Sequence, residues 1–216
     1  MDPGLRRAWT EVVTADDYDH HMAAIGQAQA AAELARHLIE SASLAAGGRI
    51  AIVGAGTGQM FDYLAPDVVR PYRLTCTDLN PAFLDRLRER LHRRGLEAAI
   101  VVDDIERSAL QRAPDFLLAT LLLEHIDWRR GVEAIAALRP GACGIIVQEN
   151  PPGMDSAVTP GRRLPPSIAA AIEFAHPELV PPDALIAAMA SRGYRCQERA
   201  VREVDDGKRL IGLLFR

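Results

Sequence analysis

Short apolar runs recur along the chain, and the segments between them repeat apolar residues every three or four positions. A strand that is apolar at nearly every position is buried on both faces, which is typical of a parallel sheet covered by helices. The alternation of such strands with helical segments therefore predicts an α/β fold with a parallel sheet at its centre. The predicted strands cover residues 49–53, 72–77, 98–102, 116–123 and 143–148.

The predicted helices begin and end at residues with known capping roles. Asn80 is a candidate N-cap and precedes Pro81, which suits the first helical position, and Gly95 is a suitable terminator of that helix. Asp127 is a second candidate N-cap. The helices predicted in this way cover residues 22–40, 59–64, 81–94, 128–138 and 182–193.

The last part of the chain has a different pattern. Residues 194–204 and 208–215 read as two strands joined by Asp205-Asp206-Gly207, a turn sequence that favours a hairpin. We therefore expect an antiparallel hairpin to follow the five α/β units.

Composition narrows the classes of protein that fit. A length of 216 residues with 49% hydrophobic and 25% charged residues predicts one ordinary globular domain, residues 1–216. A net charge of −4 argues against a nucleic-acid partner, which usually needs a basic face. Three widely spaced cysteines predict neither disulfides nor a metal site. No secretion signal and no membrane span are visible, and the Arg- and Ala-rich composition suggests a GC-rich bacterial genome, so we expect a cytoplasmic location.

The most informative segment is the end of the first strand, where Gly54, Gly56 and Gly58 alternate with other residues. Such a turn lets backbone N–H groups approach a ligand closely. Asp78 ends the second strand, where a carboxylate can accept both hydrogens of a ribose diol. Dinucleotide enzymes would need glycine at position 59, which is Gln59 here. The spacing instead resembles the first motif of class I S-adenosylmethionine (SAM) methyltransferases.

Further motifs extend this resemblance over nearly the whole chain, from about residue 18 to residue 216. The stretch Leu123-Glu124-His125-Ile126 resembles one common among small-molecule members of the family, and Leu-Arg-Pro-Gly precedes the fifth strand. The family places an acid that binds the adenine amino group after the third strand, where Asp104 aligns best and Asp103 is the alternative. The resemblance implies a doubly wound, Rossmann-like sheet of seven strands, mostly parallel with an antiparallel C-terminal strand. It also implies a set of cofactor-binding residues, namely Gly54, Ala55, Gly56, Gly58, Asp78, Leu79, Asp104, Ile105 and Leu121.

One position departs from the family pattern. The family usually carries an acid two residues before the first motif glycine, where it helps to hold the amino group of the cofactor, and this chain has Ile52. Backbone groups or another residue, with Tyr18 as a candidate, would then hold the methionine end. The departure lends support to an alternative in which the protein binds SAM or a nucleotide without catalysis, or serves as a partner subunit.

Methyl transfer from a sulfonium needs mainly alignment and exclusion of water, with a proton acceptor for some acceptors. His125 is the first candidate for such a base, with Tyr18 and Glu149 as further catalytic candidates. A second interpretation of His125 is that it shapes the cofactor pocket without transferring a proton.

Two segments are expected to determine the acceptor. The first is an N-terminal helical cap, residues 1–45, and the second is a substrate lid, residues 151–180, in which Arg162 and Arg163 could meet an anionic group. The favoured function is methyl transfer from SAM to a small organic acceptor, with S-adenosylhomocysteine (SAH) as product; a protein or RNA acceptor is a further alternative. The sequence leaves open whether O, N, C or S is methylated, and it does not indicate the oligomeric state.

Overall fold

The computed structural model describes residues 3–159, 163–173 and 177–216. Seven strands form one sheet in the order β3-β2-β1-β4-β5-β7-β6, and β1 to β5 are parallel while β7 runs antiparallel to both of its neighbours. This confirms the predicted doubly wound α/β fold with an antiparallel C-terminal hairpin. The strands are β1 (Arg49–Val53), β2 (Arg73–Asp78), β3 (Ala98–Val102), β4 (Phe116–Thr120), β5 (Ala142–Glu149), β6 (Cys196–Glu203) and β7 (Arg209–Phe215).

Helices cover both faces of the sheet. Leu34 and Leu38 of α3 and Leu87 of α5 belong to a buried cluster on one face, whereas Ile135 of α6 and Met189 of α8 belong to the cluster on the other. Because both faces are packed, the carboxyl ends of the parallel strands remain as the open edge, where ligands bind in such folds. The helices are α1 (Pro3–Arg7), α2 (Ala15–Ala24), α3 (Gln27–Ser41), α4 (Met60–Tyr63), α5 (Pro81–Arg93), α6 (Trp128–Ala137), α7 (Pro166–Ile172) and α8 (Pro182–Ser191).

The capping predictions hold in detail for two helices. The side chain of Asn80 accepts hydrogen bonds from the backbone of Ala82 and Phe83, and Asp127 does the same for the first turn of α6. These caps satisfy backbone donors that have no partner within a helix. They also fix the point at which the chain leaves the open edge of the sheet.

Two predicted elements differ from the structure. The single helix predicted over 22–40 is divided into α2 and α3 at Gly26, whose φ of +65° lies in the left-handed region that ends a helix. The fourth strand ends at Thr120 instead of residue 123, because Leu121 has a φ of +50° and a short 3-10 turn, Leu123–His125, follows.

The N-terminal region has more helix than the pattern predicted. Before α2, the helix α1 continues into a π-helical turn, Ala8–Val12. Helix α3, although it falls within the predicted cap, packs on the sheet face, so residues 3–25 are the part that lies at the open edge. Among the described residues, no helix combines the length and apolarity that are needed to cross a bilayer.

Candidate active site

Three adjoining recesses occupy the open edge of the sheet. We call the first the edge cleft; it lies beside the ends of β1 to β4 and includes Gly54, Asp78, Leu79, Asp104 and Ile105. The second, the turn pocket, lies against the glycine turn and includes Ile52, Ala55 and Gly58. The third, the apolar cavity, lies between the N-terminal helices, the segment after β5 and the β6–β7 turn. Tyr18 and Leu121 line all three recesses, so the recesses form one connected site.

The turn after β1 requires glycine for two reasons. Gly54 has a φ of +62°, and a Cβ atom there would lie 2.6 Å from Cδ1 of Leu122. Gly58 has a φ of +75°, and its Cβ would lie 2.2 Å from Cδ1 of Leu87. Real Cβ atoms do not approach neighbours so closely, and left-handed backbone is costly for other residues. At these glycines the turn therefore presents backbone atoms, and no side chain, to the edge cleft and the turn pocket.

Asp78 connects the end of β2 with this turn. Its carboxylate accepts hydrogen bonds from the backbone N–H of Gly56 at 2.8 Å and from that of Asn80 at 2.9 Å. Burial raises the pKa of this carboxyl group, although its backbone hydrogen bonds act in the opposite direction. Each carboxylate oxygen has two acceptor positions, so Asp78 keeps capacity for hydroxyl groups of a ligand in the edge cleft.

The two acids after β3 have different partners. Asp103 is buried and accepts hydrogen bonds from Oγ of Ser108 at 2.6 Å and from the backbone N–H of Ala109 at 2.8 Å, so it holds its own loop. Asp104 caps the next turn through the backbone N–H of Glu106 and forms an ion pair with Arg6. Both acids border the edge cleft. The partners of Asp103 lie in its own loop, whereas Arg6, the partner of Asp104, belongs to the N-terminal segment.

Aromatic side chains bring the N-terminal segment over the site. Trp9 meets the ring of His125 edge-on, with ring centroids 4.6 Å apart, and it also contacts Tyr18 and Phe83. The side-chain amide of Asn80 donates to the carbonyl oxygen of Trp9 at 2.7 Å. Trp9 and His125 line both the edge cleft and the apolar cavity, so these two rings form the boundary between them.

Hydrogen bonds to Asp19 connect α2 with the glycine turn. Asp19 accepts hydrogen bonds from Oγ1 of Thr57 at 2.5 Å and from the side-chain amide of Gln59 at 2.6 Å. Arg90, which is nearly buried, pairs with the same carboxylate at 3.1 Å. This network places the neighbouring residue, Tyr18, against the turn. Burial and the nearby carboxylates of Asp78 and Asp19 raise the pKa of Tyr18, so its hydroxyl stays protonated.

The pair Glu124–His125 lies in the turn after β4, and both residues line the apolar cavity. Burial raises the pKa of Glu124 to about 7 and lowers the pKa of His125 to about 4. One buried polar atom of each residue, Oε2 of Glu124 and Nδ1 of His125, has no hydrogen-bond partner among the described residues. The same is true of Thr120 Oγ1, in the edge cleft, and of Trp9 Nε1. Buried polar atoms rarely lack partners, so these four are the atoms of the site that a polar ligand or ordered water would contact.

The structure gathers most of the residues that the sequence singled out. The nine predicted cofactor-binding residues border the edge cleft or the turn pocket, and Tyr18 and His125 lie at the junction with the apolar cavity. Glu149 lies elsewhere, with its carboxylate paired to Arg209 and Arg199. Arg163 is exposed, and Arg162 lies outside the described residues.

Sequence reasoning missed the roles of Trp9, Asp19, Glu124 and Arg6. Glu124 was within a recognised motif, but its neighbour His125 seemed the better base by residue type alone. Arg6 and Asp104 are separated by 98 positions in the chain, and no local pattern signals such a pairing. An acid directly after Tyr18 was the one available signal for Asp19.

Comparison with known proteins agrees with this geometry. A family described as a methyltransferase domain matches residues 52–143, which include the glycine turn, Asp78, Asp104 and His125 but less than half of the chain. A search of curated protein sequences gave no match.

Solved methyltransferase structures share the fold. A SAM-dependent methyltransferase from Clostridium acetobutylicum is 12% identical with a TM-score of 0.63, over 93% of this chain and 98% of the other. A magnesium protoporphyrin IX methyltransferase from Synechocystis, solved with bound SAM, is 12% identical with a TM-score of 0.62, over 88% and 80%. The N-methyltransferase NodS from Bradyrhizobium japonicum, solved with SAH, is 14% identical with a TM-score of 0.57, over 86% and 84%.

At these identities the structural likeness establishes the fold, and the family match adds the activity. The match over residues 52–143 indicates a methyltransferase domain, an activity in which SAM is the methyl donor and SAH the product.

Proposed function

We propose that the enzyme transfers a methyl group from SAM to a small organic molecule bound in the apolar cavity. The observation that carries this proposal is the arrangement of the recesses: Trp9 and His125 lie between the edge cleft and the apolar cavity, and Tyr18 and Leu121 border both. An acceptor in the cavity would reach the methyl group only at this boundary. The net charge of −4 supports a small-molecule acceptor over a nucleic acid.

The donor fits the edge cleft and the turn pocket. Asp78 would bind the ribose hydroxyls with the acceptor positions that its backbone contacts leave over. Asp104 would bind the adenine amino group and Ile105 would pack on the ring, since Asp103 is committed to its own loop. Leu79 and Leu121 would complete the apolar walls.

The methionine end of the donor would lie in the turn pocket. Ile52 supplies no acid there, so we assign this part of SAM to the backbone of Gly54, Ala55, Gly56 and Gly58 and to Tyr18. The ring of Tyr18 supports this assignment, because its Cε1 lies 3.4 Å from the position that a Cβ of Gly56 would take.

SAM supplies a methyl group that is already electrophilic, so the protein has to align the acceptor and exclude water. His125, with its lowered pKa, stays neutral near pH 7 and would act by positioning. Trp9 would close the boundary. A catalytic role for Glu149 stays a prediction of the sequence, and its ion pairs with Arg199 and Arg209 do not favour it.

Two segments of the chain that line the apolar cavity support a small acceptor. Residues 3–25 would serve as the N-terminal cap, and the segment 151–180, of which residues 160–162 and 174–176 lie outside the described part, would serve as the substrate lid of a single domain. A bacterial origin and a cytoplasmic location also stay predictions of the sequence.

Two separate measurements test the proposed donor and the proposed class of acceptor. Calorimetry with SAM, SAH and NAD should give binding of the first two only. Incubation of the enzyme with labelled SAM and a cell extract, followed by fractionation, should then place the label in the small-molecule fraction. Label in the protein or RNA fraction would overturn the proposed acceptor class, while failure of SAM and SAH to bind would overturn the donor site.

A further inference from the structure

The walls of the apolar cavity are mainly apolar, with a smaller number of polar and charged side chains. Met22, Ile25, Val158, Ile168 and Ile172 line it together with the rings of Trp9 and Tyr18. Walls of this kind bind the hydrocarbon part of a ligand, and a few polar groups then determine its orientation and its chemical class.

Glu124 provides the most constrained of these polar groups. Its Oε1 accepts a hydrogen bond from the backbone N–H of Gln148 at 2.7 Å, and its carbonyl oxygen accepts one from the N–H of Glu178 at 2.9 Å. The residue is 4% exposed, so its side chain cannot turn toward solvent. Oε2 has no partner among the described residues. A ligand with an N–H or O–H group would supply the missing donor.

His125, which also lines this cavity, adds a second unpartnered atom, Nδ1. In the tautomer that carries its proton on Nε2, this nitrogen is an acceptor. A hydroxyl group has one hydrogen and could satisfy only one of the two acceptors, whereas an ammonium group has three and could satisfy both.

The charges around the cavity also favour a cation. Three acids, Glu124, Asp205 and Asp206, are among its described lining residues. Lys208 also lines the cavity, and its Nζ donates to the carbonyl oxygen of Ala157 at 2.8 Å. A carboxylate or phosphate on the acceptor would be repelled by these acids.

We propose that the acceptor is an apolar amine, whose nitrogen is held between Glu124 and His125 and methylated there. This inference rests on the proposed function, because it names the acceptor class of the same site. The amine enters as an ammonium ion and gives one proton to the Glu124 carboxylate. Its freed electron pair forms the new N–C bond to the methyl carbon, and the electrons of the broken C–S bond remain on sulfur. The product leaves as a methylated ammonium ion, and Glu124 releases the proton to water.

The test measures binding, so that it does not depend on turnover. Benzylamine, benzyl alcohol and benzoate share one ring and differ in the polar group, and each is titrated into the protein saturated with SAH. We expect benzylamine to bind about tenfold more tightly than either of the others. Glu124→Gln keeps an acceptor for the Gln148 N–H and loses the proton acceptor, so it should weaken benzylamine binding by about tenfold and leave SAH affinity unchanged. Glu133→Gln, which makes the same charge change on the exposed face of α6, should leave both unchanged.

Three results would overturn the proposal: benzoate or benzyl alcohol binding as tightly as the amine, an unchanged amine affinity in Glu124→Gln, or no binding by the amine. Loss of SAH binding to the wild-type protein is a different result, which would overturn the proposed donor site instead.

Discussion

The carboxylate of Asp78 lies 2.8 Å from the backbone nitrogen of Gly56, and this hydrogen bond joins the end of β2 to the turn that follows β1. One side chain therefore shapes the glycine turn and also faces the edge cleft. Any change at Asp78 should consequently affect the backbone of the turn as well as the ligand.

Asp78→Ala should weaken SAH binding by at least about tenfold, because it removes a charged acceptor and frees the turn. Calorimetry measures the affinity, and thermal unfolding without ligand measures the cost to the fold. Asp85→Ala, on the exposed side of α5 and paired with Arg88, is the matched control. Equal SAH affinity in the two variants would mean that the ribose site lies elsewhere.

Gly54→Ala and Gly95→Ala form a second matched pair. The two glycines have φ angles of +62° and +61°, but a Cβ at Gly54 would meet Leu122 whereas a Cβ at Gly95 meets nothing within 4 Å. Both variants should lose roughly 1–2 kcal/mol of unfolding free energy from left-handed strain. Gly54→Ala should lose more and should also lose SAH binding, as denaturant titration and calorimetry would measure. Equal unfolding free energies and equal SAH affinities in the two variants would exclude the close contact with Leu122 as the reason for glycine at position 54.

Arg6→Ala should speed the association of SAH. The ion pair between Arg6 and Asp104 competes for the acid that we assign to adenine, so removal of Arg6 should make Asp104 more available to the ligand. An ion pair of this exposure is worth about 0–1 kcal/mol, which limits the gain to about fivefold. Stopped-flow tryptophan fluorescence, to which Trp9 beside the edge cleft contributes, would measure the rate. Arg7→Ala, whose side chain pairs with exposed Glu11, is the control, and slower association in Arg6→Ala would contradict the prediction.

Glu124→Gln should stabilise the protein increasingly as the pH rises. The pKa of Glu124 is raised from 4.5 to about 7 in the fold, so its contribution is fully present below pH 4.5 and is lost as the pH rises through 7. The difference in unfolding free energy between variant and wild type should grow between pH 5 and pH 8, by at most roughly 3 kcal/mol. Denaturant titration at each pH measures it. A difference that stays constant with pH would mean that Glu124 is not a buried titrating group.

His125→Asn should reduce methyl transfer only a few-fold and leave SAH affinity nearly unchanged. The pKa of His125 is lowered to about 4 by burial, so the ring is neutral above pH 5 and takes up no proton near neutrality. The pH profile of kcat should therefore show no step near pH 6.5 that is due to His125. The wild-type enzyme and the variant should have profiles of the same shape. Complete loss of transfer with retained binding would instead identify His125 as the base.

The sequence predicted the sheet well because a buried parallel strand is apolar at nearly every position, as in Phe116–Thr120. The prediction from sequence failed where contacts between residues distant in the chain determine the structure. The 22–40 segment reads as one helix until Gly26 takes a left-handed conformation, which its composition allows but does not require. The importance of Glu124 depends on its burial and on hydrogen bonds from the backbone of Gln148 and Glu178, which lie far from it in the chain. His125 drew attention by residue type, and burial then changed its chemistry.

The break at Gly26 also bears on how this enzyme can change its specificity. Helix α3 beyond the break has nine buried residues, whereas α2 before it has none. Yet α2 contributes Tyr18, His21 and Met22 to the apolar cavity. Mutations that reshape the proposed acceptor cavity can therefore accumulate at His21, Met22 and Ile25 with little cost to the folding of the sheet, whereas Tyr18 and Asp19 of the same segment are tied to the glycine turn. These three positions are the natural place to randomise when new acceptors are sought, and selection in nature can act on them separately from the core.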